Sequence, residues 1–396
     1  MAVGIYIAVP FCRAKCSFCN FASGPAPRAV HDVYLARLAE ELAAAGGFAE
    51  KHGCCFDSVA DSVYLGGGTP SILEPAQMRQ LFAALRLNFT VAKDAEITVE
   101  CAPGTLSPEV VEALAACGVT RASLGVQSFV EKESRAVGRL HTPAMIAEEM
   151  ARLRAAGIAE VNLDLIAGLP WQNAASWGES LRRTVESGAN HVSVYMFEID
   201  EDSRLGAEVL RGGSRYGAAR LPDEDETADL YLQAVEALEA AGLERYEISN
   251  FARRGHRSRH NLKYWQREPY LGFGVDAHSM LPLDGKPCEA LRWAQPDELD
   301  AYLQKQPAAL TAVGAAAALE ERFFLGLRLR EGLELTAVAR EFGAAAVARF
   351  APAIRALVAE KLLLREGSRI RLSGRGVLLS NEVFVRFLGG GPEERR

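Results

Sequence analysis

The stretch "PFCRAKCSFCNF", residues 10–21, contains three cysteines, Cys12, Cys16 and Cys19. A structural zinc site normally takes four tetrahedral ligands, and the next candidate ligand, His31, is followed by a helix-like run. A [4Fe–4S] cluster suits three thiolates better, because one iron can then bind a small molecule in place of a cysteine. The C-x3-C-x2-C spacing therefore favours an iron–sulfur cluster with one open iron.

The first half of the chain alternates between short apolar, β-branched runs and amphipathic helical patterns. The runs that favour strands are GIYIAV, SVYLGGG, AEITVECAP, RASLGVQSF, EVNLDLIAGLP and HVSVYMFEI. This alternation predicts parallel βαβ units that close into a complete or partial barrel of the TIM type. The fold class indicated by the pattern is therefore α/β.

Glycines and polar residues stand at the ends of these predicted strands. They are residues 66–69 (GGGT), Glu100, Gln127, Asp164 and Glu198. In a parallel barrel the carboxyl ends of all strands lie on one face, where active sites are built. The cysteine loop follows the first strand, so we expect it to open onto the same face.

The second half of the chain predicts two smaller units. Residues 251–280 lack helical or alternating periodicity and are rich in Arg, His, Gly and aromatic residues, which predicts an ordered functional loop. Residues 315–390 combine helical patterns with a hairpin signal at residues 366–367, as in a winged helix. We predict a barrel over residues 1–222, an extension over 223–305 and a winged-helix-like domain over 315–390.

Composition and charge limit the class of protein. The 396 residues carry a formal net charge of −7, and 49% of them are hydrophobic. This balance is typical of a globular protein and disfavours nucleic acid as a partner, because a polyanion needs a basic surface. The N-terminus lacks the charged lead of a signal peptide, and no run reaches the roughly 18 apolar residues of a membrane span. We therefore expect a cytoplasmic protein in which the other five cysteines are small apolar residues.

The cysteine loop, its aromatic residue Phe18 and the following GGGTP segment resemble the radical S-adenosylmethionine superfamily. The resemblance implies that Cys12, Cys16 and Cys19 hold a [4Fe–4S] cluster whose open iron binds S-adenosylmethionine. One electron from such a cluster cleaves S-adenosylmethionine to a 5′-deoxyadenosyl radical. The resemblance assigns to the S-adenosylmethionine site Tyr6, Phe18, Gly67, Gly68, Thr69, Glu100, Gln127, Arg139 and Asp164.

These residue types suit such a ligand. Glycines let a backbone approach closely, Glu100 and Asp164 can accept hydrogen bonds from an ammonium or a ribose hydroxyl, and Arg139 can pair with a carboxylate. Taken singly, each of them is more typical of an ordinary solvated strand end. Their place beside the cysteine loop favours a binding site.

Further motifs identify the chain as similar to the HemN/HemW group of this superfamily over nearly its whole length. They are VYLGGGTPSIL, EITVECAPGTL, RASLGVQSF, NLDLIAGLPWQ, YEISNFA, RHNLKYW and YLGFGVDAHS. The group has two branches. One is the oxygen-independent coproporphyrinogen III dehydrogenase, a radical enzyme, and the other is a heme chaperone that passes heme to respiratory heme proteins.

Two features favour the chaperone branch. The dehydrogenase has one more cysteine two residues after the last cluster ligand, where this chain has Phe21. The segment HNLKYW matches a motif associated with heme in the chaperone branch, which implies heme contacts from His260, Asn261, Tyr264 and Trp265. An imidazole can ligate heme iron and aromatic rings can pack on a porphyrin, although a histidine beside aromatics is more often a structural residue. A second histidine, His278, is the rival iron ligand.

We therefore expect a heme chaperone that binds a [4Fe–4S] cluster, S-adenosylmethionine and heme, and that serves respiratory acceptors with a transient association with the membrane. The alternative is the dehydrogenase, so enzymatic activity stays open at this point. A third and weaker hypothesis is a structural metal protein with a winged helix that binds nucleic acid. Two positions depart from the group, because Ala8 stands in place of a usual histidine and Asn20 in place of a usual acidic residue. Neither position supplies a cluster ligand.

Overall fold

The computed structural model describes residues 2–286 and 288–389. Within these residues, twelve strands form one large sheet and three form a small antiparallel sheet. The arrangement confirms the predicted α/β class. The outermost predicted domain limits, residues 1 and 390, lie outside the described residues.

Six parallel strands form the centre of the large sheet. They are β1 (Val3–Val9), β2 (Val59–Gly67), β3 (Thr90–Cys101), β4 (Arg121–Gln127), β5 (Glu160–Ala167) and β6 (His191–Met196). They pair in chain order, and each pair is parallel. These are the six strands that the apolar, β-branched runs predict, and their carboxyl ends share one face.

Helices connect the parallel strands and cover the outside of the sheet. They are α1 (Arg28–Lys51), α2 (Pro75–Asn88), α3 (Pro108–Ala116), α4 (Glu131–Ala136), α5 (Pro143–Ala155) and α6 (Ala174–Glu186). Local chemistry fixes where several of them begin, since the side chains of Ser107, Thr142 and Asn173 each accept a hydrogen bond from the first turn. A short helix at Pro70–Ile72 follows β2. Two more follow β6, namely α7 (Arg204–Leu210) and a short helix at Arg215–Arg220.

The sheet continues beyond the parallel strands at both edges. Beyond β6 lie β8 (Asn250–Ala252) and β7 (Glu244–Arg245), and beyond β1 lie β9 (Tyr270–Phe273), β10 (His278–Pro282), β11 (Ala290–Ala294) and β12 (Ala309–Val313). Strand β9 is parallel to β1, and the others are antiparallel to their neighbours. The barrel is therefore partial, as predicted, and the predicted extension belongs to the same sheet. Its helices are α8 (Glu224–Ala240), α9 (Arg259–Gln266) and α10 (Leu299–Leu303).

The prediction of an ordered loop over residues 251–280 is wrong at the HNLKYW segment, because these residues form helix α9 (Arg259–Gln266). The side chain of Ser258 accepts a hydrogen bond from the backbone N–H of Asn261, and the helix ends at Arg267 in a left-handed conformation. The carboxylate of Glu96, on β3, accepts hydrogen bonds from the backbone N–H groups of Arg259 (2.9 Å) and His260 (3.0 Å). The cap residue Ser258 is a local signal for this helix, whereas the carboxylate of Glu96 is too distant in sequence to be one.

Helix α9 covers the amino-terminal ends of β1, β2 and β3. Lys263 is buried there and pairs with Asp61 (3.0 Å) and Glu268 (3.1 Å). A Cβ atom on Gly4 would lie 2.8 Å from the Cδ atom of Lys263 and 3.2 Å from the hydroxyl of Ser62. The glycine in the first strand therefore makes room for α9.

The C-terminal unit has the order of elements of a winged helix. It contains α11 (Ala315–Arg328), β13 (Leu333–Glu334), α12 (Leu335–Phe342), α13 (Ala344–Ala348), α14 (Ala351–Ala359), β14 (Leu363–Glu366), β15 (Arg369–Leu372), α15 (Gly374–Leu378) and α16 (Ser380–Val385). Helix α11 packs on α9, where Arg267 pairs with the largely buried Glu321 at 2.8 Å. Among the described residues, no helix is both long and apolar enough to cross a membrane.

We expect Glu96→Ala to destabilise the protein by about 1–3 kcal/mol, because two backbone N–H groups and the hydroxyl of Ser258 lose a charged acceptor. Asp94→Ala is the matched control on the same strand, since its side chain is 84% exposed and its contact with Arg259 is 3.7 Å long. Urea unfolding of both variants measures the difference. Equal stabilities for the two variants would contradict the capping role.

Candidate functional site

A cavity of about 390 Å³ lies at the carboxyl ends of the parallel strands. This volume is within the range of small-molecule sites, which are about 300–1,000 Å³. Of the residues predicted for the cluster and S-adenosylmethionine, the structure brings all but one to its walls, namely Cys12, Cys16, Phe18, Cys19, Gly67, Gly68, Thr69, Glu100, Gln127, Arg139 and Asp164. Tyr6 is the exception, since it lies beneath the cavity with its ring stacked on that of Tyr64.

Backbone hydrogen bonds fix the cysteine loop over the end of β1. The N–H of Cys12 donates to the carbonyl of Gly24 (3.0 Å), and the N–H of Ser17 donates to the carbonyl of Val137 (3.2 Å). The N–H of Leu205, on α7, donates to the carbonyl of Ser17 (2.7 Å). The three thiols are free and face the cavity, so the loop presents them together.

The GGGTP segment brings the end of β2 against this loop. The N–H of Gly68 donates to the carbonyl of Val9 (3.0 Å), and the N–H of Thr69 donates to the carbonyl of Phe11 (2.8 Å). A Cβ atom on Gly68 would lie 2.6 Å from the first of these oxygens and 2.8 Å from the second. The hydroxyl of Thr69 donates to the sulfur of Cys12 (3.5 Å). Only glycine at position 68 allows this approach.

Two acidic side chains form the deeper wall of the cavity. Glu100 accepts a hydrogen bond from the hydroxyl of Tyr64 (2.9 Å), and Asp164 accepts from Ser123 (3.0 Å) and Asn162 (2.7 Å). Burial, together with the charge of Asp164, raises the pKa of Glu100 to about 7. Burial also raises the pKa of Asp164, and the hydrogen bonds it accepts oppose this rise.

Two other polar groups of the cavity lack partners among the described residues. The side-chain oxygen of Gln127 and the Nε atom of Arg139 are buried, and neither has a hydrogen-bond partner among the described residues. Gly125 lies between them, and a Cβ atom there would be 3.2 Å from both side chains. Buried groups of this kind are normally paired, so they point to a polar ligand in the cavity.

The two departures from the group have local explanations. Asn20 donates a hydrogen bond to the carboxylate of Asp200, after β6, where an acidic residue would meet a like charge. Ala8 is buried, its carbonyl accepts a hydrogen bond from Tyr34 (2.7 Å), and its Cβ atom would be 3.2 Å from a Cβ atom on Gly274. Glycine at position 274 therefore leaves room for the methyl group of Ala8.

Sequence reasoning missed several residues that line the cavity, namely Ser123, Gly125, Ile166, Tyr195, Phe197 and Asp200. One signal could have found Ser123 and Gly125. Every residue of β4 is buried, yet a polar residue or glycine occupies every second position from Arg121 to Gln127. Alternation of this kind on a strand with two buried faces indicates that one face lines a polar interior.

The structure does not bring the HNLKYW residues to the cavity, because α9 lies at the opposite end of the barrel. His260 is 1% exposed, and its ring nitrogens contact the hydroxyls of Ser62 (3.0 Å) and Tyr264 (2.9 Å). Iron ligation needs a free imidazole nitrogen, so His260 can ligate heme only if α9 moves. The side chain of His278 is 65% exposed and lies 3.7 Å from Asp276. Heme contacts from His260, Asn261, Tyr264 and Trp265 stay a prediction.

Comparison with known proteins assigns the family. The radical SAM superfamily matches residues 6–184, and the HemN C-terminal domain matches residues 315–379. The chain is 31% identical over 388 residues to the heme chaperone HemW of Lactococcus lactis, which covers 97% of this chain and 96% of the relative. It is 33% identical over 399 residues to the heme chaperone HemW of Mycobacterium tuberculosis, with 98% and 95% covered. The chain belongs to the HemW family.

A solved structure has the same fold as this chain. Coproporphyrinogen III oxidase (HemN) from Escherichia coli, a radical SAM enzyme, superposes with a TM-score of 0.79 at 24% identity and covers 98% of this chain and 90% of its own. At this identity the match shows only the fold of this chain, a partial barrel followed by a small C-terminal domain.

The residues of the cavity suit the two cofactors of the radical SAM superfamily, a [4Fe–4S] cluster and S-adenosylmethionine. Three free thiols on one loop match the donor set of a [4Fe–4S] cluster with one open iron. The orphaned groups of Gln127 and Arg139 and the carboxylates of Glu100 and Asp164 offer partners to the polar and cationic groups of S-adenosylmethionine. When bound, the cluster supplies one-electron chemistry to S-adenosylmethionine. The chain's own residues bind and orient the two cofactors.

We expect Gly68→Ala to destabilise the protein by about 1–3 kcal/mol and to reduce the iron bound per chain, because the added methyl group displaces the end of β1. Gly24→Ala is the matched control, since Gly24 adjoins the same loop and a Cβ atom there has no neighbour within 4 Å. Iron and sulfide analysis after anaerobic reconstitution measures the effect. Full cluster content in Gly68→Ala would contradict the close-approach argument.

Proposed function

We propose that this protein is a heme chaperone, which holds a [4Fe–4S] cluster and S-adenosylmethionine in the cavity and transfers heme to heme-requiring proteins. The observation that carries the proposal is the similarity over at least 95% of both chains to proteins named as heme chaperones. The residue at position 21 adds support, because Phe21 replaces the further cysteine of the dehydrogenase branch and is 62% exposed. A thiol at this position is therefore absent from the rim of the cavity.

The second candidate function is the radical oxidation of coproporphyrinogen. It is favoured by the fold shared with HemN and by a cavity whose walls include the three cysteines together with Glu100 and Asp164. The two functions make opposite demands on a tetrapyrrole. A chaperone must release heme unchanged, whereas the dehydrogenase must alter the propionate side chains of its substrate.

One experiment separates the two functions. The protein is reconstituted anaerobically with its cluster, titrated with heme, and then incubated with coproporphyrinogen, S-adenosylmethionine and a reductant. We expect a saturable change in heme absorbance and no decarboxylated product above the background. Repeated turnover of coproporphyrinogen would overturn the chaperone proposal. Cys16→Ala is the control, since it removes a cluster ligand without touching α9.

The iron ligand is tested in the same titration. We propose that His278 is an accessible axial ligand and that His260 becomes one only when α9 opens, because 65% of the His278 side chain is exposed and His260 is buried. We expect His278→Ala to alter the Soret band of bound heme. An unaltered band in His278→Ala together with a lost band in His260→Ala would assign the iron to α9.

We further propose that the acceptors are respiratory heme proteins, which the chaperone meets at the membrane surface from the cytoplasm. Incubation of the heme-loaded protein with heme-depleted respiratory membranes tests this proposal. We expect heme to move to the membrane fraction and the cytochrome spectrum to reappear. Heme that stays on the protein, while free heme reconstitutes the same membranes, would contradict delivery.

We expect the affinity for S-adenosylmethionine to rise about tenfold between pH 6 and pH 8, because a carboxyl of pKa about 7 is mostly protonated at pH 6 and mostly ionised at pH 8. The ionised form of Glu100 attracts the cationic ligand, so affinity increases as pH rises. Glu100→Gln is the control and should bind weakly with little pH dependence. Calorimetric titration of the reconstituted protein measures both, and a flat wild-type profile would remove Glu100 from this role.

A further inference from the structure

The interior of the barrel contains a stack of rings between the cavity and α9. We name Tyr64, His260 and Tyr264 the aromatic column. The rings of Tyr64 and His260 are stacked with centroids 5.3 Å apart and planes 28° apart. The ring of Tyr264 meets the edge of His260 with centroids 5.1 Å apart. The column therefore runs from α9 toward the floor of the cavity.

The upper end of the column contacts an acidic group of the cavity. The hydroxyl of Tyr64 donates to Oε1 of Glu100 at 2.9 Å, and Glu100 lines the cavity. The ring of Tyr64 stacks with two others, Tyr6 with centroids 6.1 Å apart and His260 with centroids 5.3 Å apart. The position of this hydroxyl therefore depends on the two rings that stack with the tyrosine.

The lower end of the column is anchored at both nitrogens of one imidazole. Nδ1 of His260 lies 3.0 Å from the hydroxyl of Ser62, and Nε2 lies 2.9 Å from the hydroxyl of Tyr264. Burial lowers the pKa of His260 to about 3, so the ring is neutral and donates one of these hydrogen bonds while accepting the other. A ring held at both nitrogens has one orientation.

The remaining contacts of α9 keep this anchor in place. Glu96 accepts hydrogen bonds at the beginning of the helix, and Lys263 pairs with Asp61 on β2. Residues 260 and 264 are one turn apart, so both face the barrel interior. Helix α9 therefore presents His260 and Tyr264 to the barrel interior, and its Lys263 pairs with β2.

We propose that His260 is a positioning residue of the S-adenosylmethionine site, which orients the carboxylate of Glu100 through the ring and hydroxyl of Tyr64. The inference rests on the proposed function only in that S-adenosylmethionine occupies the cavity. It gives the HNLKYW motif a role at the amino-terminal end of the barrel, independent of heme.

The test measures S-adenosylmethionine affinity of the cluster-reconstituted full chain in His260→Ala, Tyr64→Phe and the double variant. We expect each single variant to bind about tenfold more weakly, because a hydrogen bond to a charged group is lost or misdirected. Since His260 acts through the Tyr64 hydroxyl, the double variant should bind no more weakly than Tyr64→Phe alone. Multiplied effects in the double variant, or unchanged affinity in His260→Ala, would overturn the proposal.

Two controls separate positioning from loss of structure. His256→Ala changes a histidine four residues away, which contacts Glu160 at 2.7 Å and has no contact with the aromatic column, and it should keep the wild-type affinity. If His260→Ala fails to fold, Ser62→Ala carries the test, because it removes one hydrogen bond to the imidazole and should weaken binding in the same direction. Wild-type affinity in both Ser62→Ala and Tyr64→Phe would overturn the proposal.

Heme titration of the same variants keeps this inference distinct from the proposed function. Weaker S-adenosylmethionine binding with unchanged heme binding in His260→Ala supports the positioning role. Lost heme binding with unchanged S-adenosylmethionine affinity overturns it and assigns His260 to heme. If the wild-type protein binds no heme at all, the chaperone proposal fails while the affinity measurements still decide the role of His260.

Discussion

Two backbone hydrogen bonds between the ends of β1 and β2 hold the cofactor site together. They join Gly68 to Val9 and Thr69 to Phe11, and they require a distance that no side chain at position 68 would permit. Because the cysteine loop begins where β1 ends, this contact sets where the thiols stand relative to the strand ends that carry Glu100 and Asp164. The geometry of the site is thus built into the main chain, and side chains complete it.

The interior of the barrel is unusual in being polar through much of its height. A carboxylate placed there loses hydration, which the raised pKa values of Glu100 and Asp164 reflect. Neutral hydrogen-bond donors offset this cost. Tyr64 donates to Glu100, and Ser123 and Asn162 donate to Asp164. Asn162 in turn contacts His191, which contacts the hydroxyl of Tyr246 near the start of α9. One chain of contacts thus runs from Asp164 through Asn162 and His191, and the other runs from Glu100 through Tyr64 and His260. Both connect the acidic wall of the cavity with the far end of the barrel.

The sequence predicts what depends on local or periodic signals. The six parallel strands follow from apolar runs, and the shared position of Cys12, Glu100 and Asp164 follows from the rule that parallel strands end on one face. Helix α9 has one local signal, the cap residue Ser258, but it escapes prediction because its second cap, Glu96, lies more than 160 residues earlier in the chain. The surroundings of His260 escape for the same reason, since Ser62 and Tyr64 come from another strand. The pattern HNLKYW identifies a family but does not tell which side chains reach a ligand.

Helix α9 is shared by two units of the molecule. Its inner face meets the barrel through His260 and Lys263, while its outer end meets α11 through Arg267 and Glu321 and through Trp265, whose ring lies 4.3 Å from the guanidinium of Arg328. A displacement of the C-terminal unit that pulls on α9 acts on the same helix that supports the cavity floor. Thermodynamic linkage makes such an effect mutual. A partner that binds the C-terminal unit and displaces α9 would weaken cofactor binding. Bound cofactor would lower the affinity for that partner by the same factor.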